Sequence, residues 1–521
     1  MTFLPIVDRE LREAARRKST YRVRWWATIL ALVVSLFSLL YAQMLRFGGS
    51  VGNSAFGLFT AYAFGLSLMA GIFLTADCLS EEKREGTLGL LFLTDLKGYD
   101  VVLGKFAARS LNALYGLLAL LPLAGLPILI GGLTGGEFSR MALALVNALF
   151  FSLTAGLLVS AVSRDSQRAM GGALGLVLFF AAGLPLLAAS AVHLPPLVRW
   201  TPLAWISPFY CYSYAMEPIY LFHRNTYWWS LAASHLLSWL FLGLSAWVLP
   251  YAWQDKGVGV KGTALSAWEG WRQWGLGTPE TRARRRSDEL EVNPVLWLAG
   301  CNRAVSRSLW MIVAAWALIA LGTLFLPTGQ GNGAEMTVMA GVGMVFAFLI
   351  KALLAVQSCR FFAEARRDGL LELLLYTPLT SREIIDGQSQ AFQKVMLAPV
   401  ASFLGLLYVP GLIRLLWTLA IGARPSWDLI GPLWAVGGGL TLSLLLDLLA
   451  IRWFGMWLSL KVKNPTYATG LTILFVVILP STGCAVCCVF TLLSDLVLFL
   501  VGYTQCQQDL RRSLARQSGI T

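Results

Sequence analysis

Charge is what this sequence has least of. Of 521 residues only 13% are Asp, Glu, Lys or Arg, against 57% hydrophobic, where a water-soluble domain carries about 25% charged residues. Half the usual charge cannot cover a water-facing surface, which excludes both a soluble enzyme and a disordered chain. Histidine is scarcer still. His193, His223 and His235 stand far apart with no H-E-x-x-H spacing, so no metal-ligand set can be read from them. The eight cysteines form no disulfide pattern, and a free Cys inside an apolar run behaves as a small hydrophobe. Cys484-Ala485-Val486-Cys487-Cys488 resembles a metal motif only as text, since no acid or imidazole neighbours it; helix packing accounts for it. A phosphate loop is missing too. Gly98 to Lys105 has the wrong spacing, and Phe106 stands where a Mg²⁺-binding Ser or Thr is needed. The first apolar run, Trp25 to Leu45, is too long for a signal-peptide core and is followed by no small-residue cleavage site, so it reads as a retained span.

What the chain has in abundance is long apolar runs. They fall near 25–45, 55–76, 103–131, 138–162, 168–191 and 227–251, then near 308–326, 336–358, 392–420, 428–459, 466–482 and 485–504. A run of about 20 residues spans the hydrocarbon of a bilayer. The expected fold is therefore all-α, a polytopic transmembrane helical bundle of about 12 spans arranged as two six-helix repeats. The last two runs are separated by little more than Pro480-Ser481-Thr482-Gly483, a tight hairpin or a re-entrant piece. The net charge of +13 would suggest nucleic acid in a soluble protein; here it reads as positive cytoplasmic loops, because Lys and Arg resist translocation. With both termini inside, six of the 41 Lys and Arg fall outside (Arg46, Arg140, Arg199, Arg224, Arg414 and Arg424), which leaves 35 on the cytoplasmic side.

The two groups of runs are related. Glu81-Glu82-Lys83-Arg84-Glu85-Gly86-Thr87-Leu88-Gly89-Leu90-Leu91-Phe92-Leu93-Thr94-Asp95-Leu96 aligns without a gap on Glu364-Ala365-Arg366-Arg367-Asp368-Gly369-Leu370-Leu371-Glu372-Leu373-Leu374-Leu375-Tyr376-Thr377-Pro378-Leu379, at an offset of 369 − 86 = 283. Six spans per half make the repeats parallel, related by a pseudo-twofold along the membrane normal. The expected divisions are 1–252, a cytoplasmic connector 253–293 rich in Gly, Arg and Trp, and 294–521. Each repeated segment follows a second span and so projects into the cytoplasm. Leucines at helical spacing follow a glycine, and Pro378 stops the second copy because the residue before a proline leaves the α region. The reading is a short amphipathic helix whose leucine face must bury against something.

Glu85-Gly86-Thr87-Leu88-x-Leu90-Leu91-x-x-Thr94 and Asp368-Gly369-Leu370-Leu371-Glu372-Leu373-Leu374-x-x-Thr377-Pro378-Leu379 resemble the E-G-T-L-E-L-L-L-x-T-P-L signature of ABC-2-type permeases. Leu4-Pro5-Ile6-Val7-x-Arg9-Glu10-Leu11-Arg12 and Asn293-Pro294-Val295-Leu296 are similar to that family's elbow helix, and Trp205-Ile206-Ser207-Pro208-Phe209 to its external segment. The first copy departs from the signature, with Gly89 where Glu is usual and Asp95 where Pro is usual. The resemblance implies the permease subunit of an ATP-driven transporter, with export the favoured direction. It implies coupling helices that dock two copies of a separate ABC ATPase through Glu85, Gly86, Thr87, Leu88, Leu91, Thr94, Asp368, Gly369, Leu371, Glu372, Leu374, Thr377 and Pro378. No cofactor would be bound by this chain; ATP and Mg²⁺ would sit on the partner. The implied setting is the bacterial inner membrane, multi-pass, both termini cytoplasmic, with lipids as further partners and no nucleic acid. The substrate is not legible: spans lined by Leu, Ala and Gly accommodate lipid, peptide, drug or polysaccharide alike.

Two other readings stay open. An ion-coupled secondary transporter is disfavoured by the near absence of acids within the apolar runs; a non-transporting scaffold for an ATPase would carry the same docking signature. Asp495 lies inside the last run and is the candidate intramembrane polar site. Lys351 reads as snorkelling toward the cytoplasmic end of its helix, Gly171-x-x-x-Gly175 as a helix-contact motif, and the aromatics of 192–226 as an interfacial belt.

Overall fold

The computed structural model describes residues 51–93, 96–131, 133–163, 166–185, 204–252, 286–287, 289–300, 304–322, 334–367, 369–420, 427–462, 465–478, 480 and 488–517, with scattered positions between 12 and 36. Two compact units divide the chain, residues 1–256 and 257–521. Among the described residues there is helix and no strand.

The first unit runs α1 (Val51–Leu74), α2 (Cys78–Glu85), α3 (Thr87–Phe92), α4 (Gly98–Ala124), α5 (Leu126–Ile130), α6 (Gly135–Val162), α7 (Ser166–Leu178, continued by a π-helical turn Phe179–Gly183), α8 (Pro208–Tyr214), α9 (Glu217–Tyr220) and α10 (Arg224–Ala252). The second runs α11 (Pro294–Gly300), α12 (Ala304–Gly322), α13 (Ala334–Arg367), α14 (Leu370–Tyr376), α15 (Ser381–Ala420), α16 (Trp427–Lys461), α17 (Pro465–Thr472, continued as π-helix Ile473–Ile478) and α18 (Cys488–Gln517). Seven of these are long and apolar enough to cross a membrane, and four shorter apolar helices accompany them. Together they occupy eleven of the twelve expected runs. The remaining run, 25–45, lies outside the described residues apart from isolated positions. The last two runs form separate helices, α17 and α18. The N-terminal elbow segment 4–12, most of the connector 253–293 and Cys484 to Cys487 also lie outside the described residues.

Helices this apolar gain little by hiding leucine from lipid, so close backbone approach through small residues holds them together. In the first unit α1 crosses α6 where Gly71 meets Ser152 and Gly156 meets Thr75. A Cβ on Gly71 would stand 1.8 Å from the Ser152 carbonyl oxygen, and one on Gly156 2.5 Å from the Gly71 carbonyl oxygen. Thr75 Oγ1 donates across the crossing to Leu153 O at 2.8 Å, and Ser152 Oγ donates to Ser67 O at 2.6 Å. The aromatic core around this crossing holds Phe56, Phe59, Phe151, Tyr212 and Tyr227. The second unit repeats the device: α13 meets α16 at Ser358 and Gly455, and α16 meets α18 at Phe454 and Gly502. Thr75 and Ser358 are related by the offset of 283, Gly156 and Gly455 by 299. Gly171 and Gly175 play no such part, because nothing stands within 4 Å of a Cβ built on either; Gly172 faces Val159 instead.

At the other end of the first unit Arg140 ties three elements together. Its guanidinium pairs with Glu217, lies 3.8 Å from the Tyr220 ring centre and donates to Ala215 O, while Tyr227 Oη donates to Arg140 O at 2.9 Å. Ser207 begins α8 by accepting from Phe209 N, and Tyr212 stacks on Phe64 with ring centres 4.6 Å apart. Cys211 packs beneath, where burial pushes its thiol up to about 12, so it is a packing residue and not a nucleophile.

Candidate functional site

The repeated segments fold alike. α2 ends on Gly86 at φ 72°, and α14 begins from Gly369 at φ 71°. This left-handed conformation clashes with a Cβ in L-residues and costs them roughly 1–2 kcal/mol. Each glycine reverses the chain so that a short helix turns back under the span it leaves. The next span begins at Gly98 in one unit and Ser381 in the other, again 283 apart. Thr377, extended at φ −76° and ψ 159°, ends α14 before Pro378 as expected. Nothing lies within 4 Å of a Cβ built on either glycine, so Gly86→Ala or Gly369→Ala meets only the backbone penalty. Each should lower the free energy of unfolding by about 1–2 kcal/mol in a thermal-unfolding assay of the detergent-solubilised chain, and Asn should be milder.

Charged side chains bind each segment to its own bundle. Lys83 Nζ donates to the carbonyl of Ala161 and reaches those of Ser160 and Ser163, the free acceptors at the C-terminus of α6. Arg366 does the same in the second unit, donating to Leu460 O at 2.6 Å. Lys83 and Arg366 are 283 apart, Ala161 and Leu460 are 299 apart, so one contact occurs twice. Ser160 Oγ accepts from Leu79 N and Ser80 N, and Arg84 grips both oxygens of Asp77 at 2.9 and 3.1 Å. Glu82 pairs with Lys105 at 2.7 Å and is bonded by Thr87 Oγ1. Ala365 and Gln388 replace Glu82 and Lys105 in the second unit, so the first copy is the more rigidly charged of the two.

The leucine face expected to meet a partner is divided by this packing. Leu88 is 1% exposed and lies in a cluster with Leu79, Val101, Val102 and Leu157. Leu371 and Leu374 are buried against Phe361, Phe362, Ile384, Trp453 and Met456. These three leucines seal the chain's own bundle and are not offered outward. The outward positions are ones the periodicity did not single out: Leu90 at 65% and Leu93 at 80% exposure, and their equivalents Leu373 at 65% and Tyr376 at 84%. Glu85, Gly86, Glu372, Thr377 and Pro378 are exposed beside them. Thr94, Asp368 and the side chain of Leu91 lie outside the described residues. Leu90 and Leu93, like Leu373 and Tyr376, add a second apolar side to the one at helical spacing; tertiary packing decided which was taken.

In front of α15 the second elbow is present. Asn293 Oδ1 accepts from Val295 N at 2.8 Å to start α11, and Asn293 Nδ2 donates to Glu383 O at 2.9 Å. Gly387 is glycine because a Cβ there would stand 2.8 Å from Val295 Cβ.

Within the spans, Asp495 is 1% exposed. Lys351 does not snorkel: it forms an ion pair with Asp447, a residue the sequence reading passed over. Asp447 was hidden by its neighbours, Ser443-Leu444-Leu445-Leu446 and Leu448-Leu449-Ala450, in which one acid leaves the apolar average almost unchanged. Among the described residues no group of three or more His, Cys, Asp or Glu side chains could hold a metal ion.

Comparison with curated proteins gives no match. The family model described as "ABC-2 family transporter protein" matches residues 5–251, nearly all of the first unit. With its helical spans and that match, the chain is a multi-pass membrane protein whose first unit is similar to the permeases of the ABC-2 transporter family.

Proposed function

We propose that the chain is the membrane half of an ATP-driven exporter, and that two copies of a separate ABC ATPase dock beneath it on α3 and α14. One observation carries the reading. Two segments 283 residues apart present the same exposed apolar pair, Leu90 with Leu93 and Leu373 with Tyr376, on helices whose opposite faces are locked into the spans. Exposed apolar groups on an anchored helix are what a partner would bury, and two equivalent sites suit a partner of twofold symmetry. The anchoring matters as much as the exposure. A push on α3 passes to α2, which Lys83 and Ser160 tie to α6, and a push on α14 passes to α13, which Arg366 ties to α16, so closing of an ATP-bound ATPase dimer would move spans as rigid bodies. ATP and Mg²⁺ would be held by the partner. In this reading the chain sits in a bacterial inner membrane with both termini cytoplasmic.

The test uses the full chain, tagged and co-expressed with candidate ABC ATPases. Wild-type protein should retain one of them through affinity purification. Leu90→Asp with Leu93→Asp, and Leu373→Asp with Tyr376→Asp, should each weaken retention by about thirtyfold, the equivalent of losing a ~2 kcal/mol hot spot. All four substitutions change exposed residues, so the spans should remain folded. An undiminished ATPase on the fourfold variant, or none on the wild type, would sink the assignment.

A further inference from the structure

The second unit contains a charged cluster within its spans that has no counterpart at the equivalent described residues of the first. Lys351 on α13 pairs with Asp447 on α16, and Ser443 Oγ donates to the same carboxylate at 3.2 Å. Asp495 on α18 stands at the level of Asp447, because α16 and α18 touch at Phe454 and Gly502, each seven residues further along its helix. Asp447 is 3% exposed and Asp495 1%. Neither oxygen of Asp495 meets a hydrogen-bond donor among the described residues. The cluster is deep: Lys351 lies 16 residues before the end of α13 at Arg367, and Asp447 lies 14 before the end of α16 at Lys461, distances of about 24 and 21 Å along the helices.

Counting charge at that depth gives one ammonium against two carboxyls. Two ionised carboxylates side by side in a dry site repel strongly, and a single lysine balances only one of them. Among the described residues no further charge is shown paired with the cluster, and Arg360, on the same helix as Lys351, pairs with Glu364 instead. The π-helical turn of α17 beside α18, Ile473 to Ile478, has no ionisable side chain. On α15, Arg382 pairs with Asp386 and Lys394 with Glu289, Glu383 caps the helix start at Thr380, and Arg452 of α16 turns to Ser389. A metal cation would need several convergent oxygens, and no cluster of three or more acidic, thiol or imidazole groups is present among the described residues. The first unit shows that packing does not demand the cluster. Its equivalents of Lys351 and Asp447 are Leu68 and Ala148, both buried, and beside Ala148 a set without carboxylates is used instead, Asn147 bonded to Ser234 and His235.

We propose that Asp447 and Asp495 hold a single exchangeable proton between them, balanced by Lys351, as a proton-binding site in the membrane-spanning part of the second unit. One carboxyl is then the O–H donor to the other, which gives Asp495 the partner it otherwise lacks and makes the cluster electrically neutral. Any rearrangement that wets the site releases the proton, so the state of the spans is linked to proton occupancy whatever drives them. The site stands independently of the ATPase-docking reading.

Two measurements on the full chain test it. N,N′-dicyclohexylcarbodiimide reacts with protonated carboxylic acids in apolar surroundings. Treated wild-type protein should carry an adduct on Asp447 or Asp495 by peptide mass mapping, the yield falling about tenfold per pH unit once the shared proton is lost. Infrared difference spectra between wild type and Asp495→Asn should show the loss of one protonated-carboxyl carbonyl band at neutral pH. The first measurement needs no variant to fold, and the second needs no reagent to enter. An adduct on either residue, or the lost carbonyl band, supports the site. No adduct together with loss of carboxylate bands alone shows two ionised acids and overturns it.

Discussion

Gly71→Ala should be the most damaging single methyl group in the first unit. The new Cβ would stand 1.8 Å from the Ser152 carbonyl oxygen and 2.7 Å from Leu153 N, both backbone atoms of α6. No rotamer change relieves a backbone clash, so the helices must separate. That opens the crossing at which Thr75 and Ser152 make their bonds and pulls Phe151 from its cluster. Overpacking commonly costs 1–3 kcal/mol; with backbone on both sides and the hydrogen bonds lost as well, about 3 kcal/mol or more is expected. Gly156→Ala should behave similarly, since it meets Gly71 O at 2.5 Å. Gly455→Ala should be milder, because its obstacle is the Ser358 hydroxyl, which can rotate away. Gly175→Ala, with open space around it, should be neutral. Size-exclusion profiles and thermal midpoints of the four purified variants rank them. A Gly71→Ala protein as stable as wild type would mean that α1 and α6 do not cross as described.

That ranking also marks the limit of reading helix contacts from sequence. Gly171-x-x-x-Gly175 has the right spacing for a close crossing and makes none, while Gly71 and Gly156, neither of which has a glycine four residues away, do. Spacing records which residues share a face and not which face meets a neighbour. The same gap explains the coupling segments. The offset of 283 was legible because two gapless segments match, and the stop at Pro378 because it is local, set by backbone conformation within a few residues; each glycine was legible as shared, its reversal of the chain was not. The inward turn of Leu88, Leu371 and Leu374 was not, because it depends on clusters with Leu157 and Trp453, which lie tens of residues away in sequence. Spans were legible from composition alone, since about 20 apolar residues have few other uses. Polar residues within them were legible singly and not as partners: Asp495 stood out, yet nothing in the sequence says that it faces Asp447.

Replacing Lys351 by Leu should destabilise the second unit strongly, and replacing Asp447 by Ala as well should recover most of the loss. The single change removes the ammonium and leaves Asp447 and Asp495 buried together with no cation to balance either. Breaking a buried pair by deleting one partner costs about 3–5 kcal/mol, because the survivor keeps its desolvation penalty without its attraction. The double variant removes that survivor and installs the residues that the first unit uses at the equivalent positions, Leu68 and Ala148. Exchange of a whole buried pair for apolar groups is often neutral or stabilising, so the double variant should unfold within about 1–2 kcal/mol of wild type. The interaction energy from the full cycle is then large and of the sign that marks direct contact. Losses that simply add would mean that Lys351 and Asp447 act apart, and the ion pair would have to be abandoned. If instead the double variant folds well but no longer supports transport, the pair is kept for its charge and not for packing. That is what a proton site requires and what a structural salt bridge does not.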